Sequence, residues 1–338
     1  MAKLYKRYNL LIQLVILVVS YVFIINQVFW KHDLPALLRT LGDELGSARF
    51  LKVLFVVLIF MVLNWLLEAL KWKKLIAKVE KVSLGQSVIA ILTGITISSF
   101  TPNRVGEFFG RAFILEKASH IEGILITVIG SMSQLLVTIL TGTLAWLVFL
   151  PVFMPGAGFI SGYLYYAMIA VVLLLDGLLL LLFFNISFFS MFKEKILAKG
   201  LVRVRGYLRV FTLYSNAELL TVMALSFARY LVFSTQYILL LWAMGVDIPY
   251  YYAYLLIAMV YLIMALIPTI ALTELGIRGS VAIYFFSFYF AQPMAVSAAI
   301  KPGILMASVL LWLINLGIPA LAGSAFLFRL KFFRTSET

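Results

Sequence analysis

The sequence predicts an all-α polytopic membrane protein of about seven to eight transmembrane helices plus two re-entrant or broken helical hairpins. The whole of 1–338 reads as a single transmembrane domain, made of two inverted repeats with approximate halves 1–160 and 161–338. Three observations predict this. The chain is 64% hydrophobic and 12% charged, with a mean hydropathy of +1.08, outside the range of soluble domains. From Gly123 to Phe192 the only charge is Asp176. A bilayer core takes about 20 apolar residues per helix, so that stretch alone holds two spans. Finally, two apolar stretches, SSFTPNRVGEFFGRAFIL and ALIPTIALTELGIRGSVAIYFF, are each interrupted by proline, glycine and charge. At membrane depth such breaks are tolerated only where protein or a cavity covers the freed backbone, and a pair of them, one per half, points to a transport site.

Taken in order, the clear spans are 9–29, 51–70, 123–150, 162–189, 219–244, 249–267 and 303–327. The first has a basic start, but its apolar run is too long for a signal-peptide core and no small-residue cleavage site follows, so it reads as a retained helix. Basic residues dominate 1–8, 71–87 (Lys71, Lys73, Lys74, Lys78, Lys81), 192–216 and the C-terminal tail. These are the cytoplasmic candidates, whereas 151–161 and 245–248 carry no base and face outward. The expected location is the bacterial cytoplasmic (inner) membrane, with both termini cytoplasmic. The net charge of +13 lies in these short loops, which suits anionic headgroups better than nucleic acid, and no recognition motif for nucleic acid is present.

This topology forces two irregular segments. Residues 88–115 begin and end on the cytoplasmic side, and the two apolar pieces, 88–100 and 102–115, are each ~20 Å as helix against about 30 Å of hydrocarbon. A re-entrant hairpin with its tip at Phe100–Asn103 follows. In the second half, 268–292 is the re-entrant candidate, entering from the opposite face, with 279–292 as its short second piece. The segment 249–267 is long enough to cross fully, which leaves that alternative open. Pro102, Gly106, Pro268 and Gly276 are the expected structural breaks.

The residues with chemistry cluster at these breaks. Arg104, Glu107 and Arg111 have the spacing of one ion-paired helical stripe, and Glu274 and Arg278 have the spacing of another pair. A guanidinium fork suits phosphate, and helix N-termini at the breaks add partial positive charge. Arg229 is deep in its span and reads as cavity-facing. Arg104, Glu107, Arg111, Arg229, Glu274 and Arg278 are therefore the candidate substrate-binding residues. Internal salt bridges that hold the hairpins together are the competing reading of the same residues. Glu68 reads as snorkelling from the basic end of its span, and Asp176 as either a hydrogen-bonded acid or part of a pathway. Gln134, Thr138 and Thr141 read as helix–helix bonding groups, Tyr250, Tyr251, Tyr252 and Tyr254 as an interfacial belt, and 192–216 as an interfacial helix. The chain has no cysteine, and its two histidines, His32 and His120, have no partner of metal-ligand spacing. There is no P-loop and no GxSxG motif, so no cofactor, metal or catalytic residue is assigned.

The motif TPNRVGEFFGRAFIL resembles the Pro-Gly-Arg-x-Gly-(Asp/Glu) segment of the lysylphosphatidylglycerol synthase/flippase transmembrane family, which includes the membrane half of the bacterial multiple peptide resistance factor. ALTELGIRGSVAIYFF is similar to that family's later Gly-Leu-Gly-Val-Arg-Glu segment. The resemblance covers about 5–330. It implies a helical bundle of two inverted repeats with re-entrant helices and an activity of lipid translocation. The matching positions are Pro102, Arg104, Gly106, Glu107 and Arg111, then Leu275, Gly276 and Arg278. Asn103 departs from the family's usual glycine, Gly279 stands at its usual glutamate and Glu274 at its usual glycine. No stretch has room for a soluble aminoacyl-transferase domain, so lysyl-lipid synthesis is not expected.

The expected function is a flippase-like translocase that moves a phosphate-bearing lipid or lipid-linked intermediate between leaflets, not an enzyme. A membrane-embedded transferase on a lipid-linked donor, with Glu107 or Glu274 as base, and a non-catalytic membrane scaffold are the alternatives. The expected partners are a membrane phospholipid or lipid-linked substrate and anionic headgroups at the basic loops. The chain works either as a monomer or as a homodimer.

Overall fold

The computed structural model describes residues 46–101, 104–156, 162–186, 208–267, 271–290 and 300–330, with single positions at 8, 11, 14, 15, 18, 22 and 42. The expected span 9–29, the breaks Pro102 and Pro268, most of the 192–216 stretch and the C-terminal tail lie outside the described residues.

Every regular element among the described residues is helical. The helices are α1 (Ala48–Ile76), α2 (Leu84–Ser98), α3 (Gly106–Ala112), α4 (His120–Phe153), α5 (Tyr163–Phe184), α6 (Asn216–Ala243), α7 (Tyr250–Leu266), α8 (Ala271–Tyr289), α9 (Ile300–Trp312) and α10 (Ile318–Ser324). A π turn, Leu313–Gly317, joins α9 to α10 without interrupting the rod. Pro319 supplies no amide to the preceding turn, which accounts for the widened hydrogen-bond register there. The helices α1, α4, α5, α6 and the α9–α10 rod are long and apolar enough to cross a membrane. The chain is thus an all-α, multi-pass membrane protein.

Serines start four of the helices. Ser47 accepts from the Phe50 amide, and Ser83–Gln86, Ser119–Glu122 and Ser215–Glu218 form capping boxes that satisfy orphan amides at the starts of α2, α4 and α6. The Glu80 carboxylate accepts three amides, from Glu116, Lys117 and Ala118, and pins the α3–α4 connection to the α1–α2 loop. Tyr214, just before α6, donates to the Leu75 carbonyl at 2.9 Å, and burial raises its phenol pKa, so it remains a donor.

The helices α1, α4, α6, α7 and the α9–α10 rod form the centre of the bundle, with α1 on α6 and α4 on α7 as broad contacts. The helix α5 touches α4 alone among the major contacts and exposes Tyr163, Leu174 and Leu181, as a lipid-facing helix does. The short helices α2 and α3 pack face to face, and α2 also lies on α10. A Cβ on Gly110 would stand 2.6 Å from the Gly94 Cα, so the α2–α3 crossing requires glycine at 110, and a Cβ on Gly94 would stand a tight 3.1 Å from the Glu107 carbonyl oxygen. The partners pair off between the halves: α2 contacts α3 and α10, while α7 contacts α8 and α4; α3 lies on α4, and α8 on α9.

Three expectations need correction. Gly276 is not a break, because α8 runs unbroken through Gly276 and Gly279. Glycine weakens a helix by about 1 kcal/mol without ending it. At Gly279 it serves packing instead, since a Cβ there would meet Leu305 Cδ1 at 2.6 Å. The short second piece expected at 279–292 is correspondingly replaced by a longer helix, because α8 already begins at Ala271. The 19 residues of α8 span about 28 Å and the 17 of α7 about 26 Å, whereas α2 and α3, with 15 and 7 residues, span only about 22 and 10 Å. The third correction concerns Lys71, which is buried inside α1 and is not part of a basic loop.

Candidate functional site

A cavity of about 450 Å³ opens between α1, α3, α4, α6, α7, α8 and the π turn. Each wall is placed by a feature of sequence. On α1, Asn64, Glu68 and Lys71 repeat at four and three residues, so they share one face and are buried together. The helix α3 begins at Gly106, whose amide is held by the Thr101 hydroxyl at 2.8 Å. A Cβ at Gly106 would stand 2.6 Å from the Ile97 carbonyl oxygen, so only glycine allows the turn to close on α2. Just before it, Arg104 has φ +56, the one non-glycine residue with positive φ among the described residues. That left-handed backbone is disfavoured by about 1–2 kcal/mol, and such strain gathers at functional sites.

Two ion clusters face the cavity. In the first, Glu68 is held by three cations: Arg111 Nη1 at 2.8 Å, Lys71 Nζ at 2.7 Å and Arg229 Nη1 at 3.0 Å. Arg111 also pairs with Glu107 one helical turn away. Arg229 donates through Nε to Asn64 Oδ1 at 3.1 Å and lies 4.8 Å over the Trp65 ring. Asn64 in turn donates to Asn315 in the π turn at 3.3 Å. In the second cluster, Arg104 Nη2 reaches both oxygens of Glu274 at 2.9 Å, and Arg278 pairs with the same carboxylate. The Arg104–Glu274 pair therefore joins the two halves of the chain.

Of the predicted site residues, Arg104, Glu107, Arg229 and Arg278 line the cavity. Arg111 and Glu274 sit behind that surface, at 1% and 8% side-chain exposure, as counter-charges to it. The expected single stripe of Arg104, Glu107 and Arg111 does not form. Arg104 lies off the start of α3, so its guanidinium reaches α8 instead of Glu107. Nor does Glu68 snorkel: at 3% exposure it is the hub of the first cluster, because the cations of three other positions converge on it. Asp176 is buried away from the cavity and accepts from Thr143 at 2.8 Å. Gln134 and Thr138 line the cavity; Gln134 bonds the Ser226 carbonyl of α6, as expected, whereas the Thr138 and Thr141 hydroxyls return to their own helix. Asn64, Trp65, Lys71 and Asn315 were not among the expected site residues. The spacing of Asn64, Glu68 and Lys71 within an apolar span was the signal that could have found Asn64 and Lys71.

The sequence profile of one family, described as the lysylphosphatidylglycerol synthase TM region, matches residues 10–323. The chain belongs to this family. Among curated proteins and solved structures, none matches it. As a member of the lysylphosphatidylglycerol synthase TM region family, the protein has a lipid-related role in the membrane.

Proposed function

We propose that the protein is a lipid translocase of the bacterial inner membrane whose cavity takes a phosphate-bearing headgroup. The observation that carries this reading is a cavity lined by Lys71, Arg104, Arg229 and Arg278, inside a bundle whose outer surface is apolar. Charge at membrane depth is expensive unless paired or functional, and arginine forks suit phosphate oxygens. In the resting arrangement Glu68 and Glu274 occupy these guanidiniums. A headgroup phosphate competes for the same donors, so binding is an exchange of one acceptor for another. Arg104 and Arg278 share Glu274 across the two halves, and their release would free the halves to move past each other. The paired contacts of α2–α3 and α7–α8 fit two inverted repeats, with the basic loop after α1 cytoplasmic. The carboxylates at the cavity are all engaged by cations, which favours transport over base catalysis.

The test is a leaflet-exchange assay. In proteoliposomes, wild type should move a fluorescent phospholipid between leaflets, and Arg104→Ala/Arg278→Ala should reduce that rate at least tenfold while the protein still purifies as a folded species. Undiminished exchange in the folded double variant sinks the reading. Chemical conversion of the lipid by the purified protein would replace it with the transferase reading.

A further inference from the structure

The cavity also constrains what kind of phosphate it takes; this inference rests on the translocase reading above. Its first cluster sets Lys71, Arg111 and Arg229 against Glu68 and Glu107. Its second sets Arg104 and Arg278 against Glu274. Each cluster thus carries one more cation than carboxylate. Among the described residues, the other titratable side chains lining the cavity are the phenols of Tyr230 and Tyr261, which add no charge when protonated. Two uncompensated positive charges in a largely apolar surrounding call for two negative ones.

A second observation points the same way. Five residues that line the cavity hold a buried donor with no hydrogen-bond partner among the described residues: Trp65 Nε1, Trp312 Nε1, Tyr230 Oη, Tyr261 Oη and Arg278 Nε. Trp312, Tyr261 and Arg278 are more than nine-tenths buried. An indole N–H and a guanidinium N–H only donate, so their complement is a group rich in acceptors that brings no donors of its own.

We propose that the occupant is a terminal phosphate monoester in its dianionic form, carried on a lipid and without an ammonium group. A phosphodiester supplies one negative charge, and a zwitterionic headgroup adds a cation where two already lack partners. The monoester has the charge to match both clusters and three terminal oxygens to accept from arginine and indole alike.

The experiment is calorimetric binding to the full chain in detergent, with short-chain phosphatidic acid as the monoester, phosphatidylglycerol as the diester and inorganic phosphate as the free anion. At pH 8 the monoester should bind at least tenfold more tightly than the diester. A phosphomonoester has its second pKa near 6. On lowering the pH to 5 the dianion falls to about a tenth, so the monoester-to-diester preference should shrink about tenfold. The diester stays singly charged over this range and reports any titration of the protein itself. Glu107→Gln removes a negative charge and should widen the preference, and Lys71→Met should narrow it. Either variant suffices if the other does not fold. Equal monoester and diester affinities at both pH values, each weakened by Arg278→Ala, overturn this inference and leave the lipid site standing. Binding that ignores Arg278→Ala for every lipid overturns the site as well. Inorganic phosphate binding as tightly as the monoester assigns the pocket to a free anion and overturns the lipid part.

Discussion

Glu68 holds Lys71, Arg111 and Arg229 around one carboxylate, all within 3.0 Å. Removing one partner of a buried ion pair commonly destabilises by about 3–5 kcal/mol, because the remaining charge keeps its desolvation penalty. With three cations left behind, Glu68→Gln should fall at or above that range. The expected result is a folded yield and detergent melting temperature far below wild type, with partial recovery when Arg229→Gln is added. A variant as stable as wild type would show that Glu68 is dispensable to the network. Residue spacing made half of this visible. Arg104, Glu107, Arg111, Glu274 and Arg278 stand out as charge beside proline and glycine in apolar surroundings. Their pairing does not, because Glu68–Arg111 and Arg104–Glu274 join positions distant in sequence, and no periodicity reports such a contact.

At the scale of elements, the glycines separate into two physical classes. Gly94 and Gly110 let α2 and α3 touch backbone to backbone, whereas Gly276 sits in α8 with nothing within 4 Å of its would-be Cβ. Gly110→Ala should therefore destabilise by about 1–3 kcal/mol through overpacking. Gly276→Ala should stabilise by about 0.5–1 kcal/mol, since alanine loses less backbone freedom in a helix. Melting temperatures of the two variants check the signs, and a stabilised Gly110→Ala would mean the helices are not in close contact. In sequence both look alike, as glycine near charge in an apolar stretch. The long apolar helices were legible from length and composition, with α1, α4, α5, α6 and α7 falling on the expected spans. The extent of α8 was not, since glycine and charge resemble a break unless a neighbour such as Leu305 or Arg104 supplies the packing and pairing that sustain the helix.

At the scale of the whole molecule, the orientation proposed for the bilayer rests on where the bases lie. The chain contains no cysteine, so single substitutions give clean labelling. Lys81→Cys should react with an impermeant maleimide only from the cytoplasmic face, and Asp247→Cys, exposed in the α6–α7 loop, only from the outer face. Reaction of both from the same side would refute the proposed topology. Composition by itself determined that this chain lives in a membrane as helices, because burial of backbone polar groups in hydrocarbon leaves few other solutions. The two broken segments located the polar centre, and their motifs pointed to the family. Only the tertiary structure decided that Glu68 and Lys71 belong to that centre, that Arg104 bonds Glu274 instead of Glu107, and that the cations outnumber the carboxylates around one shared cavity. The physical reason is that local sequence sets which side chains share a helix face, while charge balance in a cavity depends on which helices meet there.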